Sequence, residues 1–125
     1  AGATLVLSPN MNPAVVRHSV ARGLVSMPGV ATASEGFAAL EAGAHALKVF
    51  PADVLGLATL KAWRAVFPQA TAFFGVGGIG VDNLQSFRKA GAWGAGLGSS
   101  LYVPGMALDE LARRASGLVA AWGKP

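Results

Sequence analysis

One unit recurs five times along this chain, and that repetition limits what the chain can fold into. Short apolar runs begin at Ala3 (ATLVLS), Leu24 (LVSMPGV), His45 (HALKVF), Thr71 (TAFFGV) and Trp93 (WGAGLGS), a step of about 21 to 26 residues. Each gap carries apolar residues at helical spacing: Val15, Val16 and Val20 after Pro13, Phe37 and Leu40 between Ser34 and Gly43, and Leu57, Leu60 and Phe67 from Gly56 to Pro68. Leu84 with Phe87, and Leu108 with Leu111 and Leu118, mark two more. Asp82 or Asn83 suits the cap of the fourth helix, and Asp109 and Glu110 suit the positive end of the fifth. Alternating strand and helix at this step implies right-handed βαβ units around a parallel sheet, with strands continuously apolar because both faces are covered. Five units cannot close a parallel barrel of eight. Residues 1–125, read as one domain, therefore form an open sheet or part of a larger one.

In parallel α/β proteins the loops leaving the strand C-termini build the site. Here those positions hold Ser8-Pro9-Asn10, Pro28 to Thr32, Lys48 to Pro51, Val76-Gly77-Gly78 and Gly98-Ser99-Ser100. Two of them carry a chemical signal. Glycines at Gly77-Gly78 and in Gly96-Leu97-Gly98-Ser99 let backbone N–H groups approach an anion such as phosphate, with the Ser99 hydroxyl as a further donor. The plainer alternative is that they make tight strand-to-helix turns. Lys48 is the second signal, a cation between Leu47, Val49 and Phe50. Burial favours the neutral amine, and a neutral amine attacks carbonyls to form a Schiff base. The alternative is a lysine whose head reaches an acid or solvent from the strand end.

Other chemistries find little support. The chain has no cysteine, so disulfides, thiolate nucleophiles and sulfur-ligated zinc are absent. His18 and His45 lie far apart in sequence, and no metal site is expected. The net charge of +4 is spread over single and paired basic residues without aromatic interleaving, which argues against nucleic acid and mildly favours a small anionic substrate. No apolar stretch reaches the roughly 20 residues of a bilayer span, so no membrane partner is expected. The glycines of GVGGIG do not match the spacing of a dinucleotide fingerprint.

The motifs S-P-N at Ser8, P-G-V-A-T at Pro28, A-L-K-V-F-P-A at Ala46, V-G-G at Val76 and G-L-G-S at Gly96 occur in series. Together they resemble the class I aldolases that cleave 2-dehydro-3-deoxy-6-phospho sugar acids, and within them the bacterial galactonate branch, over nearly the whole chain. The resemblance implies a cytoplasmic (β/α)8 TIM barrel assembled as a homo-oligomer, a trimer in the family, needing neither metal nor cofactor. Its substrate would be a phosphorylated keto-deoxy sugar acid and its products pyruvate and glyceraldehyde 3-phosphate. By resemblance Lys48 would form the Schiff base, Phe50 and Pro9 would wall the pyruvate pocket, and Gly77, Gly78, Gly98 and Ser99 would hold the phosphate. Val76 stands where the gluconate branch typically has threonine, which favours the galactonate epimer; the gluconate activity is the alternative. The chain would cover about strands 4 to 8, with three units and the general-base glutamate preceding it. Glu35 and Glu41 fall on a helix between strands and are not expected to replace that glutamate. A non-catalytic phosphate-binding half barrel is the alternative from another class.

Overall fold

The structure, a computed structural model, describes residues 2–123. It alternates strand and helix: β1 (Leu5–Leu7), α1 (Pro13–Ala21), β2 (Val25–Met27), β3 (Gly29–Val30), α2 (Ala33–Glu41), β4 (Leu47–Val49), α3 (Ala52–Val66), β5 (Phe73–Val76), α4 (Leu84–Lys89), β6 (Gly94–Gly96) and α5 (Leu108–Trp122). Each pairing is parallel, in a two-stranded sheet β1-β2 and a four-stranded sheet β3-β4-β5-β6. The architecture is the expected α/β one with parallel strands.

The second apolar run, expected as one strand, is two. Pro28 has no N–H to give a ladder and divides β2 from β3. The run also changes partner there: residues 25–27 pair with β1, whereas Gly29 and Val30 pair with Lys48 and Val49. The Pro28 carbonyl still accepts from Lys48 N–H at 2.9 Å, so the backbone continues across the break.

Helix boundaries also depart from the sequence pattern in two places. The third helix begins at Ala52, a turn earlier than the stripe from Gly56: Leu55 N–H donates to Pro51 O at 3.1 Å and closes a turn that Gly56 (φ 74°) then breaks. The second begins at Ala33 because Thr32 and Glu35 close a capping box.

The core lies between the four-stranded sheet and its helices. Phe73 stands at its centre, edge-on to Phe67 at 5.3 Å, and Phe67 stacks on Phe37 at 4.2 Å. Leu47 and Val49 face this core from β4, each contributing roughly 1.5–3 kcal/mol through burial. Side chains alternate along a strand, so Lys48 is turned to the opposite face. A slip of one residue would bring Lys48 into the core, and the two apolar neighbours fix the register against it.

Candidate active site

On the face of β4 away from the helices, Lys48 lies in register between Gly29 of β3 and Phe74 of β5. Its residue is only 8% exposed. Among the described residues its Nζ has no hydrogen bond or ion pair; it lies 4.3 Å from the centroid of the Phe50 ring. The alternative in which the head reaches an acid is therefore not what the structure shows. Phe50 follows from the strand alternation: two residues on, it faces the same way as Lys48.

Beyond Phe50 a pocket of about 510 Å³ opens at the C-terminal ends of β5 and β6. Phe50, Val76, Gly77, Gly78, Gly98 and Ser99, all singled out from the sequence, line it, together with Ile79, Gly80, Gly96, Leu97 and Ser100. Lys48 and Pro9 do not line it. Pro9 is placed one strand away, where its carbonyl covers Gly29: a Cβ on Gly29 would come within 2.3 Å of that oxygen.

The glycines around the pocket have different reasons to be glycine. Gly77 and Gly78 are in the left-handed region (φ 98° and 62°), which a side chain rarely adopts. A Cβ on Gly94 or Gly96 would strike the Phe74 ring or the Val76 methyl groups at 2.5 and 2.7 Å, so these two make room on the Lys48 face. Gly98 has neither constraint: its φ is ordinary and nothing lies within 4 Å of where a Cβ would be. What its missing side chain leaves open is the pocket.

Backbone donors face the same region. The N–H groups of Gly78, Ser99 and Ser100 have no acceptor among the described residues. The first loop is held by Asn83, which stands at the N-cap of α4 as expected but turns its side chain away from the helix, accepting from Gly80 N–H at 3.0 Å and donating to the Gly78 carbonyl at 2.9 Å. The second is a single helical turn, Leu101 and Tyr102 N–H both donating to Gly98 O. Such a pair of loops offers donors to a compact anion.

The sequence profile described as Aldolase: KDPG and KHG aldolase matches residues 1–113. The chain belongs to that aldolase family. It is 45% identical over 121 residues to an Escherichia coli (strain K12) protein named 2-dehydro-3-deoxy-6-phosphogalactonate aldolase, covering 97% of this chain and 59% of the relative. A solved structure titled "Native KDPGal structure" superposes with a TM-score of 0.93 at 45% identity, over 97% of this chain and 59% of the other. A Legionella pneumophila KDPG aldolase, described with pyruvate captured at low pH as a covalent carbinolamine intermediate, superposes at 0.69 with 28% identity, over 94% and 55% of the two chains. The chain thus spans about three fifths of the length of the relatives it matches.

Within this chain, the acid nearest in sequence to the end of β3 is already engaged. Glu35 Oε2 accepts from Ala31 N–H at 2.8 Å, Thr32 N–H at 2.9 Å and Thr32 Oγ1 at 3.0 Å. The Ala31 bond, supported by the two from Thr32 and opposed by partial burial, holds its carboxyl below the ordinary 4.5. The sequence signal for this was the T-x-x-E spacing of Thr32 and Glu35. Behind the second loop, Arg114 donates from Nε to Glu110 at 2.8 Å and reaches the Ser99 carbonyl at 3.4 Å. No group of three or more His, Asp or Glu is placed to hold a metal ion among the described residues. Among the described residues no helix is long and apolar enough to cross a membrane.

Proposed function

We infer that this chain carries the Schiff-base half of a class I aldolase that cleaves 2-dehydro-3-deoxy-6-phosphogalactonate to pyruvate and glyceraldehyde 3-phosphate. One observation carries the reading: a lysine buried without an ionic partner, one aromatic ring away from a pocket walled by glycines and unpaired N–H groups. Lys48 Nζ adds to the substrate ketone, water leaves, and the resulting iminium draws electrons from the neighbouring bond. A base takes the proton of the hydroxyl on the far carbon of the bond that breaks, the carbon that becomes the aldehyde. The carbon–carbon bond then breaks, the aldehyde departs with the phosphate, and the electron pair rests in an enamine. Protonation of the enamine and hydrolysis return pyruvate and the free amine. Phe50 and Pro9 wall the pyruvate end; Gly77, Gly78, Gly98 and Ser99 hold the phosphate.

The covalent carbinolamine named for the Legionella relative supports this use of an amine. Val76, which offers no hydroxyl to the substrate, and the name of the E. coli relative favour the galactonate substrate over the gluconate epimer. The βα units take the place of about strands 4 to 8 in a (β/α)8 barrel. The exposure of Leu5, Leu7 and Val25, on one face of the β1-β2 pair, fits a sheet face made for further packing. The intact assembly is a cytoplasmic homo-oligomer, trimeric as the resemblance implies, acting in galactonate breakdown.

Treating the folded chain with pyruvate and borohydride tests the reading. A stable adduct mapped to Lys48 by peptide mass is expected; a folded sample with Lys48 unmodified overturns it. A second reading, a phosphate-binding module without turnover, is favoured by the engagement of Glu35 in the α2 cap. Anion binding without the adduct would select it.

A further inference from the structure

Ser100 Oγ is buried and has no hydrogen-bond partner among the described residues. A buried hydroxyl left unpaired is costly, so native proteins give nearly all such groups a partner, whether protein, water or ligand. Ser100 stands on the wall shared by two cavities. On one side is the 510 Å³ pocket, and on the other a cleft of about 360 Å³ lined by Gly80, Asp82, Arg114 and Gly117. Gly80 leaves open space beside it, a Cβ there lying 3.6 Å from the Ser100 Cβ.

We propose that Ser100 is a further phosphate-binding residue, whose hydroxyl turns into the 510 Å³ pocket to donate to a phosphoryl oxygen alongside the Gly78 and Ser99 N–H groups. Serine moves between staggered positions by one rotation about χ1. Where Oγ now rests it forfeits no bond by turning. The Ser100 N–H, also without an acceptor, is presented by the same turn that holds Ser99. Arg114 stands behind this turn, in the second cleft and at the Ser99 carbonyl, with its Nε paired to Glu110 at 2.8 Å. The inference rests on the phosphate reading of the pocket. It adds a residue that the family resemblance does not supply.

The test titrates inorganic phosphate into the folded chain, following the amide resonances of Gly78 and Ser99, for wild type and Ser100→Ala. Thermal melts without phosphate are recorded for both. The proposal expects saturable shifts in wild type, an affinity weaker by about three- to tenfold in Ser100→Ala, and a phosphate-free melting temperature equal to or above wild type. The last expectation follows because the variant removes an unpaired buried group. Equal phosphate affinity in the two proteins overturns the role of Ser100 and leaves the pocket reading standing. Weaker binding together with a lowered phosphate-free melting temperature marks Ser100 as structural and also overturns it. A wild-type chain whose amides do not respond overturns the pocket reading, and Ser100 with it.

Discussion

The carbonyl of Pro9 rests on the backbone of Gly29, so close that a Cβ on residue 29 would lie 2.3 Å from its oxygen. Gly29 is in turn the register partner of Lys48, which places the S-P-N turn one strand from that lysine. Gly29→Ala forces a backbone shift, because the obstacle is main chain and not a flexible side-chain end. A loss of about 1 to 3 kcal/mol is expected by urea denaturation. An unchanged midpoint would show that the turn moves away freely.

Gly98→Ala should behave in the opposite way. The position has an ordinary φ and open space around it, so stability should change by less than about 0.5 kcal/mol. The new methyl would enter the pocket, and phosphate affinity should fall at least about tenfold, the equivalent of 1.4 kcal/mol. Thermal melts and a phosphate titration on the same sample separate the two effects.

Lys48→Met replaces a buried amino group with an apolar side chain of similar length. Burying an amino group without a hydrogen-bond partner costs about 1 to 3 kcal/mol, offset in part by its contact with the Phe50 ring at 4.3 Å. Stability by denaturant melt should therefore rise by about 1 kcal/mol while the borohydride-trapped adduct disappears. A clear loss of stability would mean that the amine holds the fold together.

Glu35 makes stability depend on pH in a definable direction. Its folded carboxyl titrates below 4.5, held there first by the Ala31 N–H, so between the folded and unfolded values the unfolded chain binds more protons. Its contribution is complete above about 4.5 and is lost as pH falls through the folded value. Melts recorded from about pH 6 down to about pH 3 should show this loss, and Glu35→Gln should flatten it. Thr32→Ala should cost about 1 kcal/mol at neutral pH.

The apolar runs and the helical spacing between them were enough to establish the parallel βαβ order, because strand alternation and helix periodicity are properties of neighbouring residues. The same local logic singled out Lys48 as a cation between Leu47, Val49 and Phe50; that Leu47 and Val49 turn to the core while Lys48 lies against Phe50 came from the folded strand. It also picked out Gly77, Gly78, Gly98 and Ser99, which meet at one pocket. It did not show that Pro28 splits a strand as the chain changes partner, nor that the side chain of Asn83, at the N-cap of α4, ties the preceding loop. Nor did it separate one glycine from another. Gly29 yields to Pro9, Gly94 to Phe74 and Gly96 to Val76, whereas Gly98 yields to nothing among the described residues. These distinctions belong to tertiary structure because a glycine's reason depends on which atoms stand where its side chain would be. Those atoms come from residues about 20 positions away, brought near only when the strands pair in register.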